Sequence, residues 1–220
     1  MAFSVEFYRT LALSVRYDTV LFPLESTRLL SAVAERGFIT PESAEQPPLG
    51  ARLGLRGTIA RKGGVSLSVN GDKQTVGVNA KDIETLLDEF ESIENAIGDE
   101  FELSAGDLVM FYELLVSVVV KTDKHPVEEL GRLSAQMPIL GEFSEIIGNE
   151  VAPFGIRIAP KDQEPNQSDW FDIRIEPSIQ APSGRYVVEV VYRHSSRNSV
   201  LEFIRSLEST IESLIGAIEA

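Results

Sequence analysis

Residues 52–80 read RLGLRGTIARKGGVSLSVNGDKQTVGVNA, and apolar and polar side chains alternate through three short segments of this stretch. Alternation with a period of two is typical of β-strands that bury one face. The segments are separated by Lys62-Gly63-Gly64 and by Asn70-Gly71-Asp72. An Asn-Gly pair is a strong hairpin signal because both residues tolerate positive φ. The stretch therefore predicts a three-stranded antiparallel meander.

Two helices and a further strand are predicted around this meander. Residues 10–17 alternate in the same way and predict a strand, and apolar residues at helical spacing around Leu29 predict a short helix after it. Beyond the meander, apolar residues recur at steps of three and four from Ile83 to Ile97, which predicts a long amphipathic helix ending at Gly98. The order in residues 1–103 is thus strand, helix, three strands, long helix.

The second half of the chain, residues 104–220, repeats this order. A β-branched strand is predicted over 111–121, and a helix begins at Pro126 and is interrupted near Pro138. Three strands are predicted over 154–158, 171–175 and 186–192, and a final helix carries an apolar stripe from 200 to 215. We infer an α+β protein built as a tandem duplication, with β-α-β-β-β-α repeats at 1–103 and 104–220 fused into one compact unit.

Short sequence matches in the same order support the duplication, such as residues 53–56 (LGLR) with 154–157 (FGIR). Together with residues 76–81 (VGVNAK) leading into the long helix, the element order resembles the TATA-box-binding protein family across nearly the whole chain. The resemblance implies a curved antiparallel sheet with helices on one side and an open face on the other. Members of that family press the open face into the DNA minor groove with Phe wedges. Paired Phe residues are missing from the predicted open face of this sequence, and fold analogy does not carry function.

The amino-acid composition of the chain excludes several classes of function. The chain carries 20 Lys+Arg against 34 Asp+Glu, a net charge of -14, which repels phosphate backbones and anionic lipids at long range. It has no cysteine and two histidines, His125 and His194, which excludes disulfides and Cys-ligated metals and leaves few candidate bases. Without a catalytic motif, signal peptide or membrane-length apolar run, the sequence predicts a cytoplasmic, non-enzymatic protein without cofactor or metal.

One basic stretch departs from the acidic balance. Residues 46–71 contain no acidic side chain but hold four basic ones, and Arg157 is the repeat equivalent of one of them. These side chains are candidates for contact with nucleic acid or another anion: Arg52, Arg56, Arg61, Lys62 and Arg157. Arginines on a solvated sheet face or in ion pairs are the ordinary alternative.

An aliphatic group is predicted on the open face of the second half, beside charged residues at 172, 174, 189 and 193. Its members are candidates for a protein interface: Leu115, Val119, Val187 and Val191. Contiguous exposed aliphatic surface usually marks such an interface. The alternatives are that the face assignment is shifted by one residue or that a loop covers these side chains.

Three hypotheses follow. The first is a non-enzymatic binding protein whose open sheet face holds a macromolecule, either a protein partner or a second copy of the chain. The second is a regulator that contacts nucleic acid through the basic stretch, in line with the family resemblance but opposed by the net charge. The third is a small-ligand binder or enzyme that uses the groove between sheet and helix.

Overall fold

A computed structural model describes residues 3–18, 27–40, 56–104 and 106–220 of the chain. The described residues form eight strands and six α-helices. The strands are β1 (Ser4–Tyr17), β2 (Arg56–Lys62), β3 (Val65–Asn70), β4 (Thr75–Asn79), β5 (Val109–Lys121), β6 (Ile156–Ile158), β7 (Trp170–Pro177) and β8 (Arg185–His194). The helices are α1 (Thr27–Glu35), α2 (Ile83–Phe101), α3 (Pro126–Arg132), α4 (Ile139–Ile147), α5 (Arg197–Arg205) and α6 (Leu207–Ile218), with a 3₁₀ turn at Leu133–Gln136. No helix in these four ranges is long and apolar enough to cross a membrane.

All eight strands belong to one antiparallel sheet that is curved and unclosed, in the order β2-β3-β4-β1-β5-β8-β7-β6. The long strands β1 and β5 lie at its centre, and Leu13 of β1 is paired with Leu114 of β5. Outward from this pair, each half adds its third, second and first meander strand in turn. The prediction of an α+β fold with an antiparallel sheet is confirmed.

The hydrophobic core lies between the helices and one face of the sheet. Alternate side chains are buried from Leu11 to Tyr17 of β1 and at Leu114, Val116, Val118 and Val120 of β5, which follows from the period of two in a strand. The helices bury matching apolar stripes at Leu86, Phe90 and Ile93 of α2, Ile204 of α5, and Ile211 and Ile215 of α6. The apolar residues that alternate along the strands and those at helical spacing along the helices thus pack into the same core.

The two ends of helix α2 show how local hydrogen bonds determine where a helix begins and ends. The Asp82 carboxylate accepts a hydrogen bond from the Thr85 N–H at 2.8 Å, the usual cap of a helix N-terminus. At the other end, α2 continues to Phe101 and stops where Glu102 takes the left-handed conformation, with φ 55° and its N–H donating to the Gly98 carbonyl. The prediction that this helix ends at Gly98 is therefore wrong by three residues.

The second predicted hairpin has a different turn. Between β3 and β4 lies a four-residue loop, and the positive φ occurs at Gln74 (52°), not at the Asn-Gly pair. The Asn70 side chain instead accepts a hydrogen bond from the Lys73 N–H at 3.1 Å, which stabilises the loop from within. At the first hairpin, Gly63 has φ 56° in a two-residue turn, as expected.

Two helical regions differ from the sequence expectation. After Pro138 the chain forms the separate helix α4, where only an interruption was predicted. The single final helix is divided at Ser206 into α5 and α6. The first predicted meander strand is described only from Arg56 onward, so Leu53 and Leu55 lie outside the described residues.

We expect Leu114→Ala to lower the free energy of unfolding by about 2–5 kcal/mol, because this fully buried side chain would leave a cavity in the core. Its neighbour Leu115 lies on the opposite face, so Leu115→Ala should cost less than about 1 kcal/mol. Urea unfolding of the two variants gives the comparison. Equal losses for both leucines would contradict the assignment of the faces.

Candidate functional site

The helices cover one face of the sheet, and we call the other the open face. It is lined by the strand residues that alternate with the core residues. In the first half these are Ala12, Ser14, Arg16, Thr58, Arg61, Ser66, Ser68, Thr75 and Gly77; in the second half they are Glu113, Leu115, Ser117, Val119, Lys121, Arg157, Asp172, Arg174, Glu176, Arg185, Val187, Glu189, Val191 and Arg193. The open-face positions predicted in the second half are thus those of the structure.

The first half of the open face is flat because its side chains are small. Gly77 lies between Ser14 and Ser68, and a Cβ at this position would come within 3.0 Å of the Ser14 Cβ. The Ser68 hydroxyl donates to the Gly77 carbonyl at 3.2 Å, and the Ser14 hydroxyl donates to the Glu113 carbonyl at 3.3 Å. These polar groups are already hydrogen-bonded, so this half offers a smooth surface with few free donors.

The second half of the open face carries an aliphatic strip. Leu115 is 37% exposed, and Val187 and Val191 are half-buried. Val119 is only 1% exposed between its register neighbours Phe7 of β1 and Val187 of β8. Three of the four predicted interface residues therefore reach the surface, whereas Val119 packs within it. Phe7, which is half exposed, was missed by the sequence analysis.

Irregularities in β1 explain why Phe7 was missed. The register of β1 against β5 shifts between Val5 and Phe7 and again between Tyr8 and Thr10. Each shift is a bulge that inserts one residue, Glu6 or Arg9, and bulges redirect side chains. A simple alternation read from Leu11 backwards therefore assigns the wrong face to Phe7 and Tyr8, which lie between the two bulges.

The Arg9 bulge opens onto a cavity of about 300 Å³ on the open face. The cavity is bounded by the aliphatic strip at Val187 and by the turn after β7, where Ile179 and Gln180 lie. Arg174, Glu176 and Glu189 complete its wall. Apolar and charged groups thus meet at the edge of the aliphatic strip.

Ion pairs frame the aliphatic strip on its outer side. Arg157 holds Asp172 through two hydrogen bonds of 2.8 and 2.6 Å, and Arg174 contacts Glu189 at 2.7 Å and Glu176 at 3.3 Å. Each of these pairs joins neighbouring strands or neighbouring positions of β7. Each of these guanidinium groups has a carboxylate of this chain beside it, which lowers its attraction for a phosphate.

A second bidentate pair lies at the Glu6 bulge. Arg185 donates to both carboxylate oxygens of Glu6, at 2.5 and 2.7 Å. These hydrogen bonds hold the pKa of the Glu6 carboxyl below its usual value. The bulge in β1 is thus tied to β8 across the central strand β5.

Arg193 is the most enclosed cation of the open face. Its guanidinium donates to Glu113 at 2.5 and 3.0 Å and to the carbonyl oxygens of Pro165 and Gln167 at 2.8 and 3.3 Å. It also lies 4.4 Å from the centre of the Phe111 ring, a favourable cation–π distance. Arg193 therefore fastens the loop before β7 to the centre of the sheet.

The predicted basic stretch is not assembled into one site. Lys62 lies on the helix face, where its ammonium group pairs with Glu89 at 2.8 Å and lies over the Phe38 ring. Arg61 is exposed on the open face at one sheet edge, whereas the paired Arg157 lies at the other edge, seven strand spacings or roughly 30 Å away. Arg52 and the Arg56 side chain lie outside the described residues. The candidate contacts Arg61 and Arg157 thus lie at opposite edges of the sheet, and Lys62 lies on its helix face.

The strands and the helices nonetheless differ in net charge. The eight strands contain ten basic and five acidic residues, whereas the six α-helices contain four basic and fifteen acidic residues. Helix α2 alone has seven acidic side chains and no basic one. The sheet layer of this acidic chain thus has a positive balance, and the helix layer carries much of the negative charge.

His194 is one of the two candidate bases of the sequence. His194 Nδ1 accepts a hydrogen bond from the Ser196 N–H at 2.8 Å and lies 3.5 Å from Asp169. Because Nδ1 is an acceptor, a neutral His194 carries its proton on Nε2 and cannot donate to Asp169, unlike the histidine of a Ser-His-Asp triad. The Ser195 N–H donates to Asp169 at 2.7 Å and holds the pKa of that carboxyl below its usual value.

No cluster of three or more His, Asp or Glu side chains in the described part of the chain has the arrangement of a metal site. Comparison with protein-family models, with curated proteins and with solved structures found no match to this chain. The resemblance to the TATA-box-binding protein family stays a prediction.

We expect Arg193→Lys to lower the free energy of unfolding by about 1–3 kcal/mol, because lysine cannot replace the planar set of hydrogen bonds to Glu113 and the loop carbonyls. The matched variant Arg174→Lys changes an exposed ion pair and should cost less than about 0.5 kcal/mol. Chemical denaturation of both proteins measures the difference. If Arg174→Lys were as costly as Arg193→Lys, the proposed fastening of the loop by Arg193 would be ruled out.

Proposed function

We propose that this protein is a non-enzymatic binding protein that holds a protein partner on the second half of its open face. The observation that carries the proposal is the aliphatic strip of Leu115, Val187 and Val191 with the neighbouring ring of Phe7. The helices leave these side chains uncovered. Uncovered aliphatic surface framed by polar groups is typical of protein interfaces. We also propose a cytoplasmic location, which the lack of cysteine favours.

The surrounding charges favour a protein over a nucleic acid as the partner. Arg157, Arg174, Arg185 and Arg193 already contact carboxylates of this chain. A phosphate bound at these arginines would lie beside the carboxylates, which repel it. A protein can cover the aliphatic strip while the ion pairs stay intact at its rim.

The charge expected of the partner follows from the basic side chains that form no ion pair within the described part of the chain. Among the described residues, no ion pair within 4 Å is found for Arg9, Arg16 or Lys121. Arg9 lies at the cavity that Val187 also lines, whereas Arg16 is opposite Phe111 and Lys121 is opposite Arg185. The expected partner therefore presents an apolar surface flanked by carboxylates, which complements these side chains.

Nucleic-acid binding is the second candidate, because the strands contain twice as many basic as acidic residues. We also propose that the two halves arose by duplication, as in the family that the sequence resembles. The symmetric order of the strands around β1 and β5 supports this duplication. The net charge of -14 and the occupied guanidinium groups oppose nucleic-acid binding. A small-ligand role stays a prediction.

The proposed interface can be tested by placing a photo-crosslinking amino acid at Leu115 in the full chain, expressed in its source cells. We expect one protein adduct, which the double variant Val187→Asp and Val191→Asp should abolish because two carboxylates would be desolvated in the interface. The control position is Glu212, an exposed residue of α6 on the helix layer. Equal labelling at both positions, or labelling unaffected by the aspartates, would refute the interface.

The nucleic-acid candidate is tested with fluorescence anisotropy of labelled duplex and single-stranded DNA, at low salt and near 0.15 M salt. We expect no saturable binding at either concentration, since the free cations are few and the chain is acidic. Saturable binding that falls steeply with salt, and that Arg61→Gln weakens, would replace the protein-partner proposal with the nucleic-acid one.

A further inference from the structure

Helix α4 exposes its apolar side chains to solvent. It contributes no buried residue to the core. Ile146 is 80% exposed and Ile147 is 60% exposed, and Ile139 and Phe143 are nearly half exposed. An amphipathic helix usually buries its apolar stripe, so this stripe is unpartnered in the described chain.

The exposed residues form one stripe on the helix. Residues three or four positions apart lie on the same side of an α-helix, which places Ile139, Phe143, Ile146 and Ile147 together. This spacing of i, i+4, i+7 and i+8 is the pattern of helices that dock into apolar grooves. Glu142, which is three residues after Ile139 and four before Ile146, borders this stripe, whereas Glu145 lies on another side of the helix.

The C-terminal end of helix α4 is held by hydrogen bonds within the chain. Gly148 ends it in the left-handed conformation, with φ 75° and its N–H donating to the Ser144 carbonyl at 2.9 Å. The Ser144 hydroxyl donates to the Leu140 carbonyl at 2.8 Å and accepts from the Val151 N–H at 3.1 Å, which holds the following chain against the helix. A preformed helix lowers the ordering cost of binding.

The charges around the stripe define the occupant. From Leu133 to Ile156 the chain has three acidic residues, Glu142, Glu145 and Glu150, and no basic one. The basic residues that flank this segment are both neutralised, Arg132 by Glu129 at 2.7 Å and Arg157 by Asp172. The charged residues nearest to the stripe in sequence are therefore all acidic.

We propose that α4 docks into an apolar groove of a partner protein whose rim carries lysine or arginine. Symmetric pairing of α4 with α4 of a second copy would bring like carboxylates together in a chain of net charge -14. Anionic membranes repel the same carboxylates. This surface is separate from the open face, so the proposal goes beyond the function argued above.

The test begins with p-benzoylphenylalanine in place of Phe143 in the full chain, irradiated in its source cells. The crosslinked protein is identified by mass spectrometry, produced in pure form, and its affinity for the unmodified chain is measured by titration. We expect Ile146→Ser, and separately the pair Glu142→Lys and Glu145→Lys, each to weaken binding at least about tenfold. Glu212→Lys in α6 is the matched charge control and should leave the affinity unchanged.

Restoration by charge exchange is the decisive result. Changing the rim lysines or arginines of the partner to glutamate should recover the binding lost in the Glu142→Lys, Glu145→Lys variant. All these residues are exposed, so the urea midpoint should not change, which separates lost docking from lost folding.

Four outcomes would overturn the proposal. The first two are the lack of any adduct at position 143 and an adduct with a second copy of this chain. The third is binding of the protein to phosphatidylcholine vesicles that Ile146→Ser removes. The fourth is a partner whose affinity does not change when Glu142 and Glu145 are replaced by lysine. A partner captured at Leu115 but not at Phe143 would leave the open-face proposal standing and refute this one.

Discussion

The antiparallel pairing of β1 with β5 is the constraint on which the rest of the structure depends. It joins two meanders into one sheet and sets Leu13 opposite Leu114 and Ser14 opposite Glu113. Because strand side chains alternate between faces, a slip of one residue would move every core leucine of a central strand to the open face. The register therefore decides at once which side chains the helices bury and which ones remain available to a partner.

The two surfaces that the helices leave uncovered have opposite character. The open face belongs to a sheet layer with twice as many basic as acidic residues, whereas α4 lies in a segment with carboxylates only. The open face carries both signs of charge in ion pairs around its apolar side chains, whereas the charged residues next to the apolar side chains of α4 are carboxylates.

Much of the fold was predictable because burial and period coincide. The alternation in β5 and β8 placed Leu115, Val187 and Val191 correctly on the open face. The sequence could not show the bulges that expose Phe7, since a bulge depends on the partner strand. Helix α4 was missed because Pro138 and Gly141 indicate an interruption, although Ile139, Phe143 and Ile147 have helical spacing. The pairing of Arg157 with Asp172 required the register of β6 against β7.

The absence of cysteine from the chain allows the central register to be measured directly. Thr10 of β1 and Ser117 of β5 are opposite each other on the open face, and directly opposed Cα atoms lie about 4.5–5.5 Å apart. Under mild oxidation, the pair Thr10→Cys and Ser117→Cys should form an intramolecular disulfide, seen as faster migration on a non-reducing gel. The pair Thr10→Cys and Val116→Cys should stay reduced, because Val116 faces the helices. A disulfide in the second pair and none in the first would show that the register, and with it the open face, is wrong.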